Sequence, residues 1–131
     1  MVDGKTYLQH NSDYHAIMEE MKNKPEYFPE TFRDIFLLGM VYAIKNNLEP
    51  TDIPDGKKQS SIRIPEVIND DHRFMFQVIA YWKTGKIESI IDENFYFSIA
   101  EKYANTGIKE IIDKVYKSDN PSFTLAELAL E

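Results

Sequence analysis

TFRDIFLLGMVYAIKNN, residues 31–47, decides how the rest of the chain is read. Between Phe32 and Ile44 only Arg33, Asp34 and Gly39 are not apolar. A strand covered on both faces has that character, but the run is too long for one strand. A helix that is apolar nearly all round must be covered on several sides. Thr31 followed three residues later by Asp34 resembles a capping box, with Asp in place of Glu. Lys45 falls in the last turn, where a cation complements the helix dipole. The stretch therefore reads as the central helix of a small helical domain.

Composition frames that helix. A chain of 131 residues fits one domain. Hydrophobic residues make up 43% and charged residues 28%, an ordinary globular balance. Cysteine is absent, which excludes disulfides, thiolate metal sites and a cysteine nucleophile. No apolar run reaches the ~18 residues of a membrane span, and MVDGKTYLQHNSDY lacks the apolar core of a signal peptide. A cytoplasmic location is the expectation. The formal charge of −7 weighs against a free-standing nucleic-acid binder, whose affinity comes largely from Lys and Arg neutralising phosphates.

Outward from the central helix, residues 1–11 read as a polar lead-in. Ser12 is a candidate cap for a short helix carrying Tyr14, Ile17, Met18 and Met21 on one stripe. Pro25 and Pro29 bracket a connector. Residues 48–61, LEPTDIPDGKKQSS, form a long loop with a turn at Pro54-Asp55-Gly56. Ile62, Arg63 and Ile64 alternate like a short extended piece, but with no second such piece in view no sheet is expected. Asp70 or Asp71 caps a second core helix, striped by Phe74, Met75, Val78, Ile79 and Trp82 and closed by Gly85. Asp92 opens a helix with Phe95, Tyr96, Ile99 and Tyr103, which Asn105-Thr106-Gly107 is expected to stop. Ile108, Ile111, Ile112, Val115 and Tyr116 then face one side of the next helix. In the tail, residues 118–131, Thr124 and Glu127 match a capping box before a short helix. The expected fold is all-α: a single compact domain of about five helices plus a short C-terminal helix.

Signs of chemistry are sparse. His10 and His15 are five apart, not the four that place two ligands on one helical face. His72 sits among the helix-opening residues Asp70 and Asp71. No Walker A loop, HExxH, GxSxG or GxGxxG is present, so a non-enzymatic protein without a cofactor is expected. Lys57, Lys58 and Arg63 form the one basic concentration, and they are the candidate partner-binding residues. Leu125, Leu128, Ala129 and Leu130 in the tail make a second candidate contact.

Two blocks taken together point further. They are TFRDIFLLGMVYAIKNNLEP, residues 31–50, and FMFQVIAYWKTGKIESIIDENFYFSIAEKYANTGIKEI, residues 74–111. The second ends in E-x-YAN-x-G, formed by Glu101, Tyr103, Ala104, Asn105 and Gly107. Across roughly residues 10–117 the chain resembles the accessory family labelled Dnd system-associated protein 4, which accompanies bacterial DNA phosphorothioation systems. The resemblance implies a setting, an operon that marks DNA with sulfur and restricts unmarked DNA. It implies no catalytic residue.

The expectation is an adaptor that acts by protein–protein contact, with partners in a DNA-modification or defence operon. Homo-oligomerisation is compatible with it, and membrane or direct nucleic-acid binding is not expected. The alternative is a DNA-binding regulator built on a helix-turn-helix-like pair over residues 93–117. Its second helix, IKEIIDKVYKS, offers no Arg, Asn or Gln to read base edges.

Overall fold

The computed structural model describes residues 6–24 and 31–116. In chain order the elements are β1 (Tyr7–Asn11), a 3-10 turn (Ser12–Tyr14), α1 (His15–Lys22), α2 (Phe32–Lys45), β2 (Lys58–Arg63), α3 (Ile64–Val67), α4 (Asp70–Thr84), α5 (Glu88–Ile91) and α6 (Glu93–Ile111). A π-helical turn, Ile112–Tyr116, follows α6. Among the described residues the fold is thus mostly helical with one small sheet. The connector at 25–30 and the tail at 118–131, with its expected short helix, lie outside the described residues.

The central helix is where its sequence puts it. The Thr31 hydroxyl accepts from the Asp34 amide at 3.1 Å, and Ile35, Phe36, Gly39, Met40, Tyr42 and Ala43 are buried. Its main partner is α6, and the two helices meet backbone to backbone. A Cβ on Gly107 would sit 1.6 Å from the Gly39 carbonyl oxygen, and one on Gly39 would sit 2.9 Å from the Ile108 amide nitrogen. Only glycine permits so close a crossing.

That crossing corrects the expected helix end. Asn105-Thr106-Gly107 does not stop a helix, because α6 runs through it from Glu93 to Ile111. Gly107 is needed for approach rather than for a turn. Asn105 and Thr106 face the chain leaving α2: the Asn105 amide donates to Thr51 Oγ1 at 2.9 Å, and the Thr106 hydroxyl donates to the Glu49 carbonyl at 2.9 Å. The Thr51 amide in turn donates to the Lys102 carbonyl at 3.2 Å. The beginning of the long loop is therefore tied to a helix.

The all-α expectation is corrected by the sheet. β1 pairs antiparallel with β2, with Tyr7 opposite Arg63 and Asn11 opposite Lys58, so part of the lead-in and the last residues of the loop are strands. Leu8 (0% exposed), His10 (2%) and Ile62 (2%) are turned into the domain. A polar-looking strand forms because its inward positions are covered and its backbone finds a partner.

Two further expectations move. Asn69, not Asp70 or Asp71, caps α4: its side chain accepts from the His72 amide at 2.9 Å, and the Asn69 amide donates to His72 Nδ1 at 3.2 Å. His72 is thereby a capping residue. At the front of α1, Asn11 rather than Ser12 accepts from the Asp13 amide, at 2.9 Å. Gly85 closes α4 in the left-handed region, φ 69°, and Asp92 caps α6 by accepting from Asn94 at 3.1 Å, both as read from sequence.

The core is continuous across α2, α4 and α6. Phe36, Phe76 and Phe97 form an edge-to-face run, with centroids 6.2 and 5.7 Å apart. Such pairs add to the roughly 1.5–3 kcal/mol that burial of each large apolar side chain contributes. Helix α4 turns Phe76 and Ala80 inward, so its expected stripe is misplaced. Met75 and Ile79 pack partly against the core, while Phe74, Val78 and Trp82 do not enter it.

Candidate functional site

The outward face of α4 follows from that rotation. Phe76 and Ala80 lie one turn apart on the α6 side, where the small Ala80 lets the helices close. Phe74, Val78, Tyr81 and Trp82 lie opposite at i, i+4, i+7 and i+8, a single helical face. They are 67%, 49%, 46% and 59% exposed. Three residues that follow, Ile87, Ile91 and Phe95, are exposed as well, Ile91 at 77%. Seven of the nine exposed large hydrophobics among the described residues thus fall between 74 and 95. Scattered single apolar residues are normal on a surface, but a concentration rich in aromatics is the mark of a contact site.

The face is held on a stiff support. Arg73 donates to Glu93 at 3.0 Å and to the Tyr96 hydroxyl at 2.9 Å, with its guanidinium over the Phe97 ring. The Tyr96 bond is the leading reason the guanidinium holds its proton more tightly than usual. Gln77 donates to the Ile90 carbonyl at 2.9 Å, which fixes α5 against α4. Trp82 leans on Tyr103 with centroids 6.5 Å apart, and Lys83 reaches Glu49 at 3.3 Å. The large side chains therefore stand on a helix that is anchored along its length, and preorganised aromatics lose little freedom on binding.

A polar cleft of about 360 Å³ lies elsewhere, between β1, the loop and α6. Gln9, Asp52, Asp55, Lys58, Glu101 and Lys102 line it. Its buried carboxylate has a structural task. Leu8 pairs with Ile62 but Gln9 pairs with Ser60, so Ser61 is an extra residue, a β-bulge. The Gln9 amide is turned from the ladder and donates to Glu101 Oε2 on α6. Asp52 pairs with Lys102 at 3.2 Å.

The three candidate partner-binding residues do not converge. Lys57 pairs with Asp13 at 2.6 Å, and Arg63 pairs with Glu66 at 2.9 Å. Lys58 lines the cleft. Lys58 and Arg63 stand at opposite ends of β2, about 16 Å apart along an extended strand. No group of three or more His, Asp or Glu among the described residues is arranged to hold a metal ion. No helix among them is long and apolar enough to cross a membrane.

The α4 face is hidden from sequence reasoning because α4 is apolar on two sides and the wider side reads as the core. The usable signal was the i, i+4 pair of Phe76 with the small Ala80.

Comparison with protein-family models, with characterised proteins and with solved structures returns no match. The residues of the E-x-YAN-x-G run each have a packing task in this fold. Glu101 holds the bulge, Tyr103 and Ala104 are buried, Asn105 ties the loop, and Gly107 makes the crossing.

Proposed function

We propose that this chain is a non-enzymatic adaptor that acts by protein–protein contact, docking a partner on the outer face of α4. The observation that carries the reading is the exposed set Phe74, Val78, Tyr81 and Trp82 on one anchored helix. Trp and Tyr are the side chains most often responsible for binding energy at interfaces. The resemblance to the Dnd-associated family supplies the setting: a cytoplasmic complex of a prokaryotic DNA phosphorothioation and phage-defence operon. Lys57, Lys58 and Arg63, which do not converge, are left a lesser part in this reading, that of speeding encounter with an acidic partner surface.

The alternative, a DNA-binding regulator, loses the helix pair it was built on, since residues 93–111 are one helix. The −7 charge also opposes it. The test compares wild type with Phe74→Ser and Trp82→Ala in co-purification from the native host, with partners identified by mass spectrometry. A partner retained by wild type and lost from both variants, at unchanged melting temperature, is the expected result. Equal recovery with all three chains would refute docking on α4. Sub-micromolar duplex binding at physiological salt would favour the regulator.

A further inference from the structure

Away from the α4 face, His10 on β1 and His15 at the start of α1 meet through their ring nitrogens. His10 Nε2 lies 3.0 Å from His15 Nδ1. Their centroids are 5.3 Å apart and their planes differ by 15°. The centroid separation exceeds the nitrogen separation by about two ring radii, so the rings meet edge to edge, nearly coplanar. That is the geometry of a direct N–H···N hydrogen bond. It does not suit a shared metal ion, toward which two lone pairs would have to converge at an angle.

A neighbouring carboxylate favours one choice of donor. Glu19 Oε2 lies 3.9 Å from His15 Nε2, and a carboxylate there favours hydrogen on that nitrogen. His15 Nδ1 is then the bare acceptor, and His10 Nε2–H is the donor. His10 Nδ1 is left bare, buried and without a partner, a smaller cost than a buried N–H in the same place. Phe32 of α2 lies parallel to both rings, 5.1 Å from His15 and 5.9 Å from His10. Lys22 sits 4.8 Å over the Phe32 ring and pairs with Glu19 at 3.5 Å.

The other charges around the pair are occupied. Asp13, in the turn that joins the two histidines, is paired with Lys57. On α2, Arg33 and Asp34 bond to each other at 3.2 Å. The β2 residue opposite His10 is the uncharged Gln59. The one charge positioned to act directly on His10 is therefore that of His15 itself.

We propose that the His10–His15 contact is a proton-operated latch, which fastens β1 to α1 while both rings are neutral and frees the strand when acid protonates the pair. The proton comes from solvent. A proton on the accepting nitrogen removes the acceptor. The bond can reverse only if His10 moves its hydrogen to Nδ1, where it is buried without an acceptor. With both rings protonated, two N–H groups and two positive charges would meet edge to edge, and the contact breaks. Since the Gln9 amide on the same strand is held by Glu101, release of β1 also opens the polar cleft.

Burial, followed by the charge of His15, pushes the His10 pKa down from 6.5 to about 4. The unfolded or released imidazole takes a proton below about 6.5, whereas the closed one takes it only near 4. The latch is fully present above 6.5 and is lost progressively as pH falls toward 4. For the proton that His10 takes up in that window, the opening constant should rise by up to roughly tenfold per pH unit.

The experiment is hydrogen exchange on the full chain between pH 7 and pH 4.5, corrected for intrinsic rates, together with ring-nitrogen NMR. Amides of Leu8, His10 and Asn11 are expected to open tens of times more readily at the acid end, relative to amides around Gly39 and Gly107. At pH 7 the spectra should place hydrogen on His10 Nε2. In His10→Gln, which keeps a donor without a titrating ring, the selective acid opening should disappear. If that variant does not fold, His15→Gln is read instead, and its acid opening should weaken, because one of the two causes that hold the His10 pKa down is gone. Strand and core amides responding together in wild type, or unchanged acid opening in the variant read, would overturn the latch.

Discussion

The α2–α6 crossing and the outer face of α4 both carry large apolar side chains, yet one is sealed and the other stands in solvent. At the crossing Gly39 and Gly107 bring two backbones into contact, and Met40, Ala43, Ala104 and Ile108 beside them are buried. On α4 the residue that permits close packing is Ala80, and the large residues are turned away from it. Small residues decide where helices meet, and large ones fill whatever space remains. Hydrophobicity by itself does not separate a core from a contact surface. Residue size along each face does.

The sharpest way to break that contrast is Gly107→Ala. The added Cβ would fall 1.6 Å from a carbonyl oxygen, an atom of the backbone that no rotamer change can move. The loss should exceed the roughly 1–3 kcal/mol usual for overpacking, and no folded protein at all is a compatible result in urea melts. A variant as stable as wild type would mean the helices do not touch there.

Next in size is the pair Phe76→Ala and Phe74→Ala, two residues apart on one helix. Phe76 is 0% exposed and Phe74 is 67% exposed. The first should cost about 3–5 kcal/mol and the second within about 0.5 kcal/mol. Equal costs measured by denaturation would mean that α4 is rotated, and the proposed docking face would then be core.

The smallest effect concerns the basic residues. Reversing Lys57, Lys58 and Arg63 to Glu breaks two exposed ion pairs, each worth roughly 0–1 kcal/mol. The melting temperature should drop by only a few degrees. Partner association should slow at low salt and converge with wild type at high salt. A change in dissociation rate as large as that of Trp82→Ala would move the docking site toward β2.

What was legible in the sequence was local. The Thr31 cap, Gly85 and Asp92 are recognised from a few adjacent residues, and the continuous apolar run of α2 is self-evident. The sheet was not legible, because YLQHN carries few apolar residues and its partner strand lies about fifty residues away. Its inward position at His10 is filled by a polar ring whose match, His15, sits on a helix. The Asn105-Thr106-Gly107 run misled because the same residues that end helices also suit a helix crossed at close range. The docking face on α4 was hidden by too much apolar sequence, and the burial of Glu101 had no signal at all, since a bulge in a distant strand creates it.

The crossing of α2 and α6 also bears on how the chain comes into being. Gly39 and Gly107 are 68 residues apart, so α2 emerges during synthesis long before its cover exists. At about 5–20 residues per second, the most apolar helix waits roughly 3–14 seconds for α6. Helix α1, made before α2, touches it but covers far less of it than α6 does. Contacts this far apart in sequence slow folding. A nascent chain stalled before residue 107 should therefore present α2 to chaperones and proteases, and abundance in the cell should be sensitive to any change that slows completion of α6.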